Sequence, residues 1–271
     1  MSEGCSLGIF KINILCYADD IVLVAGSYRE LELLYETLSD SLLNLGLTVN
    51  KVKTKCMIFS SSINKNIPTA LPFGDDTLEV VNSYKYLGHI IESNLSDLKD
   101  IEANLKKFYA STNSVLRNFK HVDLNTFMYL FNSYCNPVYG INLWNDNNTF
   151  GRCLFKTFEV AYNNELKKIL GVPLYASNHI TADKCGQLLF RHHVAQLQFN
   201  YYQRIRNSRN IIFRINMPIF KQGYFVSHVS KLFHDVYSVN ASQCDRDIIS
   251  SRIKWVQKHE PRRGICRFFN I

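Results

Sequence analysis

Two short runs of mostly β-branched and aliphatic residues, Ile12-Asn13-Ile14-Leu15-Cys16 and Ile21-Val22-Leu23-Val24-Ala25, flank Tyr17-Ala18-Asp19-Asp20. Runs this short, with so few residues between them, read as paired strands, so the chain must form a hairpin with two aspartates at its turn. Acidic turns are common and mostly solvated, and Asp75-Asp76 is read as one of these. Asp19-Asp20 differs in being held between two apolar strands, where charge is unexplained unless a cation binds it. A hard cation such as Mg²⁺ (or Mn²⁺) takes one or two protein carboxylates and fills its remaining positions with water and substrate phosphates. A two-metal phosphoryl-transfer site, with ions roughly 3.5 to 4 Å apart, needs a further carboxylate from a neighbouring strand.

Downstream of the hairpin, Ser27-Tyr28-Arg29-Glu30 fits a capping box, and Leu31, Leu34, Tyr35, Leu38, Leu42 and Leu45 recur at helical spacing up to Gly46. A strand is expected over Thr54 to Ser60, and a loop over Ile63 to Phe73, which carries Pro68 and Pro72. Leu78 to Val81 and Tyr84 to Ile91 read as a second hairpin. From Ser96 onward the pattern becomes helical, with segments expected at Asp97 to Phe119, Asp123 to Tyr134, Phe150 to Leu170 and Leu188 to Arg206; Gly171-Val172-Pro173 ends the third. The fold class is α+β, organised as residues 1–95 (hairpins plus helix), 96–173 (helical) and 174–271 (basic and helical).

The formal net charge of +8 is unevenly placed: residues 1–185 hold 17 Lys and Arg against 19 Asp and Glu, and residues 186–271 hold 14 against 4. The last third is therefore cationic, with Arg204, Arg206, Arg209 and Arg214 beside Tyr201, Tyr202 and Phe213. Basic and aromatic residues interleaved in this way suit a polyanion, since cations neutralise phosphates and rings stack on bases; a solvated basic surface is the competing reading. The eight cysteines contain no Cys-x-x-Cys pair, and neither a zinc ribbon nor a secreted disulfide framework follows from their spacing. Cys185 with His192 and His193 comes nearest to a ligand cluster and is read as structural. The apolar stretch Phe127 to Trp144 contains Asn132, Asn136, Pro137 and Asn142, so no membrane span is expected. With no secretory signal at the start, an intracellular location, cytoplasmic or nuclear, is the expectation.

The series Tyr17-Ala18-Asp19-Asp20, Ile21-Val22-Leu23, a helix, Gly46-Leu47-Thr48-Val49-Asn50, Lys53-Thr54-Lys55 and Met57-Ile58-Phe59 resembles the palm of a reverse transcriptase. Tyr84-Lys85-Tyr86-Leu87-Gly88-His89-Ile90-Ile91 resembles that family's primer-grip hairpin. Ser133-Tyr134, Pro137, Tyr139-Gly140, Trp144 and Leu166-Lys167-Lys168-Ile169-Leu170-Gly171-Val172-Pro173 are similar to the thumb and following region of non-LTR, LINE-type elements. The resemblance implies an RNA-directed DNA polymerase ancestry with an RNA template and a DNA primer as partners. It makes Asp19 the principal metal ligand, with Asp20 in a lesser role, and sets Tyr17 beside the primer terminus. Tyr86, Leu87 and Gly88 would hold the primer strand. Lys53 would donate a proton to the leaving pyrophosphate or stabilise its charge, against the reading of a solvated loop lysine.

Only sixteen residues precede Tyr17, so the family's other catalytic aspartate, its fingers and its nucleotide-binding elements are expected to be missing. Asp146 and Asp235 lack the surrounding pattern to replace that aspartate. The palm sheet should then lack a central strand and expose an edge and a face. Three readings follow: a polymerase segment inactive by itself, a nucleic-acid-binding module using the thumb and basic tail, or a relic without selected function.

Overall fold

In a computed structural model the described residues are 5–7, 10–59, 67–135, 140, 144, 149–210, 237 and 246–259. They form an α+β protein whose chain divides into two compact units, Met1–Ser96 with Arg209–Ile219 and Asp97–Ser208 with Phe220–Ile271.

Among the described residues the first unit contains four two-stranded antiparallel pairs: β1 (Cys5–Leu7) with β2 (Phe10–Ile12), β3 (Ile14–Tyr17) with β4 (Asp20–Leu23), β5 (Ala70–Phe73) with β6 (Asp76–Glu79), and β7 (Ser83–Tyr86) with β8 (His89–Glu92). Helix α1 (Tyr28–Asn44) follows β4. The Ser27 side chain accepts from the Glu30 backbone N–H, but the Glu30 carboxylate reaches past it to the N–H of Gly26, one residue further back than in a capping box. At the other end Gly46 takes φ +74°, with Gly46 N–H bonded to Leu43 O and Leu47 N–H to Leu42 O, the paired bonds of a Schellman stop.

Helix α1 packs on the β5–β6 pair. Tyr35, Cys56, Phe73 and Leu78 are buried there, with Leu23, Leu31, Val49, Leu71 and Val80 around them. The Phe73 ring lies 5.3 Å from Tyr35 and 5.5 Å from Tyr28. Leu23 roots the β3–β4 hairpin in this core, and the tip runs out into solvent.

Three sequence expectations are corrected in this unit. Pro72, expected in a loop, lies in β5 opposite Thr77; its own carbonyl accepts the Tyr28 hydroxyl, and a pair of two strands leaves an edge where a residue without an N–H costs no ladder bond. The strand expected from Thr54 shrinks to one parallel bridge between Cys56 and Val80, made by Cys56 N–H to Glu79 O and Val81 N–H to Cys56 O; Ser60 and 61–66 lie outside the described residues. Tyr84 to Ile91 does not pair with Leu78 to Val81. It folds back on itself, Tyr86 opposite His89, around Leu87 (φ +46°) and Gly88 (φ +89°), the signs of a type I′ turn.

The second unit is helical: α2 (Leu98–Asn118), α3 (Leu124–Leu130) running into a π turn (Phe131–Cys135), α4 (Thr149–Leu170), α5 (Asn178–Lys184), α6 (Phe190–Arg206) and α7 (Arg246–His259). Asp123 caps α3 by accepting from the N–H groups of Asn125 and Thr126 and from the Thr126 hydroxyl, contacts that hold its carboxyl below the usual range. Its core is aromatic. Phe158 lies 5.4 Å from Phe108, 6.2 Å from Trp144 and 5.2 Å from Phe190, on which it stacks, and Phe131, Tyr162, Leu166 and Val194 close around them. Asp100, buried, accepts the Trp144 indole N–H at 2.8 Å and so compensates its own desolvation.

The segment Leu166 to Pro173 is a helix exit. Leu166 is in the core, Gly171 takes φ +65°, and its N–H and that of Val172 bond the carbonyls of Lys168 and Lys167. Lys167 is buried with its ammonium on Leu174 O at 2.6 Å, and desolvation lowers its pKa. Lys168 pairs with buried Glu165 at 2.6 Å. Among the described residues no helix is long and apolar enough to cross a membrane.

Candidate metal-binding hairpin

Register fixes what the acidic hairpin presents. Tyr17 pairs with Asp20, Cys16 with Ile21, Leu15 with Val22 and Ile14 with Leu23, and Val24 N–H to Asn13 O at 2.9 Å extends the ladder. Directly opposed residues share a face, so Tyr17, Asp20, Leu15 and Val22 lie on one side and Cys16, Ile21, Ile14 and Leu23 on the other. Among the described residues the second face meets the core at Leu23. Asp19 occupies the two-residue turn with Ala18, which takes φ +52°.

A positive φ is the glycine region, and alanine there carries a steric cost of roughly 1 to 2 kcal/mol. The turn thereby places Asp19 at the tip directly ahead of Asp20. Both carboxylates are exposed, and Tyr17 is 65% exposed. Their hard oxygen donors fit the partial set that Mg²⁺ takes from protein. Among the described residues no group of three or more His, Cys, Asp or Glu side chains is placed to hold a metal ion. No third strand pairs with β3 or β4 among them either, and Ile14, Leu15 and Ile21 remain exposed.

Lys53 sits in a turn in which its N–H bonds the Asn50 side chain at 3.1 Å and Thr54 N–H bonds Asn50 O at 2.9 Å. Its carbonyl accepts the Tyr84 hydroxyl at 2.9 Å, tying this turn to β7 and the Tyr86-Leu87-Gly88 hairpin. The neighbouring lysines serve structure: Lys51 pairs with Asp76, and Lys55 with Glu79 at 2.7 Å. Lys53 is exposed between them. Asp76 is thus no solvated turn residue. It also accepts the Tyr35 hydroxyl at 2.8 Å, and the Lys51 and Tyr35 contacts hold its carboxyl below the usual range.

In the second unit Arg204 and Arg206 are exposed on the last turn of α6; Arg209, which belongs to the first unit, is exposed too. The Arg204 guanidinium lies 5.9 Å over the Tyr201 ring. Tyr202, expected as a stacking partner, is buried instead, because its helical position faces the core beside Phe199. Phe213 and Arg214 lie outside the described residues, as do Pro137, Tyr139, Asp146 and Asp235. Cys185 is buried, its thiol pushed up to about 12 by desolvation. His192 Nδ1 lies 2.8 Å from the Tyr237 hydroxyl, and His193 stacks on Tyr162.

One further signal escaped the sequence. Among the described residues only Ala18, Leu87 and Leu95 combine a side chain with positive φ, and two of the three are at the tips of the hairpins carrying the residues named above. Such outliers concentrate at functional sites, where the surrounding structure holds them.

Residues 2–91 match the family model for reverse transcriptase, the RNA-dependent DNA polymerase. The chain is also 24% identical over 167 residues to an uncharacterised transposon-derived protein of Caenorhabditis elegans, a match covering 60% of this chain and 58% of that protein. The match thus spans less than two thirds of that relative. Residues 2–91 are therefore similar to reverse transcriptase, and the relative is described as transposon-derived.

Proposed function

We propose, taking the reverse-transcriptase match as premise, that this chain carries the metal-binding and primer-holding part of a non-LTR, LINE-type palm, and that residues 1–271 alone do not polymerise. The observation that carries the reading is the acidic tip: two exposed carboxylates presented by a non-glycine turn at φ +52° on a hairpin of otherwise apolar residues. Solvation of the aspartates alone gives no reason to keep a strained turn there.

In this reading Asp19 and Asp20 hold Mg²⁺ or Mn²⁺, which when bound supplies charge neutralisation for a phosphoryl group. Tyr17, on the face of Asp20, supports the primer end. Tyr86, Leu87 and Gly88 hold the primer strand through the tight β7–β8 turn. Lys53, the exposed lysine between two paired ones, stabilises charge on the leaving pyrophosphate or returns a proton to it. Inactivity is inferred because no further His, Cys, Asp or Glu joins Asp19 and Asp20 in a metal-holding group among the described residues, and positioning and charge stabilisation supply nearly all of the catalysis in phosphoryl transfer. RNA template and DNA primer are the proposed partners. A second reading, a nucleic-acid-binding module, is favoured by Arg204 set over Tyr201 beside exposed Arg206.

The test is Mn²⁺ titration of the isotope-labelled chain. Paramagnetic broadening should centre on residues 17 to 22 and weaken at least tenfold in Asp19→Asn. Broadening centred elsewhere, or unchanged by that substitution, would remove the metal-binding assignment.

A further inference from the structure

Helix α7 is anchored on one side and exposed on the other. Ile249, Ile253 and Gln257 are buried, and the Gln257 side chain accepts from Leu189 N–H at 2.8 Å and donates to Gln187 O at 3.1 Å. Ser250 accepts from the Gln196 amide at 3.0 Å. The opposite side presents Ile248, Ser251, Lys254, Trp255 and Lys258. Trp255 is 49% exposed, although an indole gains much from burial.

The Arg252 guanidinium lies 4.3 Å from the indole centroid, and Arg252 Nε donates to Tyr237 O at 2.8 Å, which fixes the guanidinium in place. Arg252 and Lys258 stand three residues before and after Trp255, so all three share one stripe of the helix. Arg246, Arg252, Lys254 and Lys258 face a single acid, Asp247, within the helix.

We propose that Trp255, backed by Arg252, is a stacking platform for an unpaired base of a single-stranded nucleic acid, with Lys254 and Lys258 neutralising the flanking phosphates. An aromatic ring with a fixed cation beside it and lysines on either side is the composition that holds single strands without reading sequence. A duplex does not offer a base face to a ring on a helix surface. A membrane surface fits less well, because Ile248 is the only other large apolar side chain exposed on α7 and interfacial helices need a broad apolar face. The platform touches base and phosphate rather than sugar, so ribo- and deoxyribo-strands should bind alike. The site rests on the nucleic-acid reading above but uses none of the residues that reading names.

The test uses the full chain at low salt with a twelve-nucleotide oligothymidylate, read by tryptophan emission and by anisotropy of labelled oligonucleotide. Trp144 is buried, so quenching should come from Trp255 and vanish in Trp255→Phe, which retains affinity to within about threefold. Trp255→Ala should weaken binding about tenfold or more, the effect of losing one stacked base, with the thermal midpoint unchanged. Lys254→Glu with Lys258→Glu should weaken binding and flatten its salt dependence. Oligouridylate should match oligothymidylate, and a duplex of equal length should bind less tightly. Binding unchanged in Trp255→Ala, or a duplex bound as tightly, would overturn the platform and leave the nucleic-acid reading standing. No binding of any oligonucleotide would overturn both. Quenching or a blue shift with phosphatidylserine vesicles and not with oligonucleotide would assign the face to a membrane and overturn the proposal.

Discussion

Phe158→Ala should lower the stability of the helical unit by about 4 kcal/mol, within the range of roughly 3 to 5 for a phenylalanine removed from a packed core. The Phe158 ring is stacked at 12° on Phe190 of α6 and neighboured by Phe108 of α2 and by Trp144, so no single helix can move in to fill the space it leaves. Total stabilities of domains are only about 5 to 15 kcal/mol, so this loss would bring the unit near its unfolding midpoint at physiological temperature. Phe158→Leu keeps most of the volume and should cost far less. Urea unfolding followed by helical circular dichroism measures both. A loss below about 1 kcal/mol for the alanine variant would mean that the ring is not at the centre of this core.

Acid should weaken the same unit well before its carboxylates titrate. His193 is stacked on Tyr162, its Nε2 has no hydrogen-bond partner among the described residues, and burial pushes its pKa down to about 4. An unfolded histidine titrates near 6.5, so between these values the unfolded chain binds a proton that the folded one refuses. Stability therefore falls as pH drops from about 6.5 to about 4, by about 3 kcal/mol in all, since a tenfold difference in proton affinity between the two states corresponds to about 1.4 kcal/mol. Below pH 4 the folded form is protonated too and the loss levels off. His193→Phe keeps a ring against Tyr162 and should remove this slope. Asp76 in the first unit behaves differently: its carboxyl is held low by Lys51 and Tyr35, so its contribution is present above the normal carboxylate range and lost as pH falls through its lowered value. Urea midpoints of wild type and His193→Phe, measured from pH 7 to pH 4, test the assignment, and identical slopes would refute it.

The hairpin at Tyr17–Asp20 was legible because two apolar runs on either side of a two-residue break allow little else, and α1 was legible because Ser27 and Gly46 carry its ends. The limits of α2, α4 and α6 fell within two residues of those expected from sequence. Elsewhere local signals competed with tertiary ones. Pro72 reads as a loop residue, yet an edge strand accepts it. Leu87 is a poor turn residue, so the I′ turn that divides Tyr84–Ile91 into β7 and β8 could not be anticipated from propensity. Asp76 looked like its neighbour Asp75 until packing brought Tyr35 and Lys51 to it. Helix α5, at seven residues, is too short for a periodic signal, and the burial of Tyr202 beside the exposed arginines of α6 depends on which face of that helix meets the core.

At the candidate site the residue types were legible and their assembly was not. Sequence picked out Asp19, Asp20, Lys53 and Tyr86 to Gly88. The Tyr84 bond to the Lys53 carbonyl and the positive φ of Ala18 and Leu87 are properties of the folded backbone.

The most direct measurement of the central claim is primer extension on an RNA template with deoxynucleotides and Mn²⁺. It compares three proteins: residues 1–271 alone, the same chain joined to an upstream reverse-transcriptase segment carrying the further aspartate and the nucleotide pocket, and that joined protein with Asp19→Asn. The prediction is no extension by the first, template-dependent extension by the second, and at least a thousandfold loss in the third, because removing one carboxylate from a phosphoryl-transfer clamp removes several kcal/mol of charge stabilisation. Extension by residues 1–271 alone, or extension by the joined protein that survives Asp19→Asn, would contradict it.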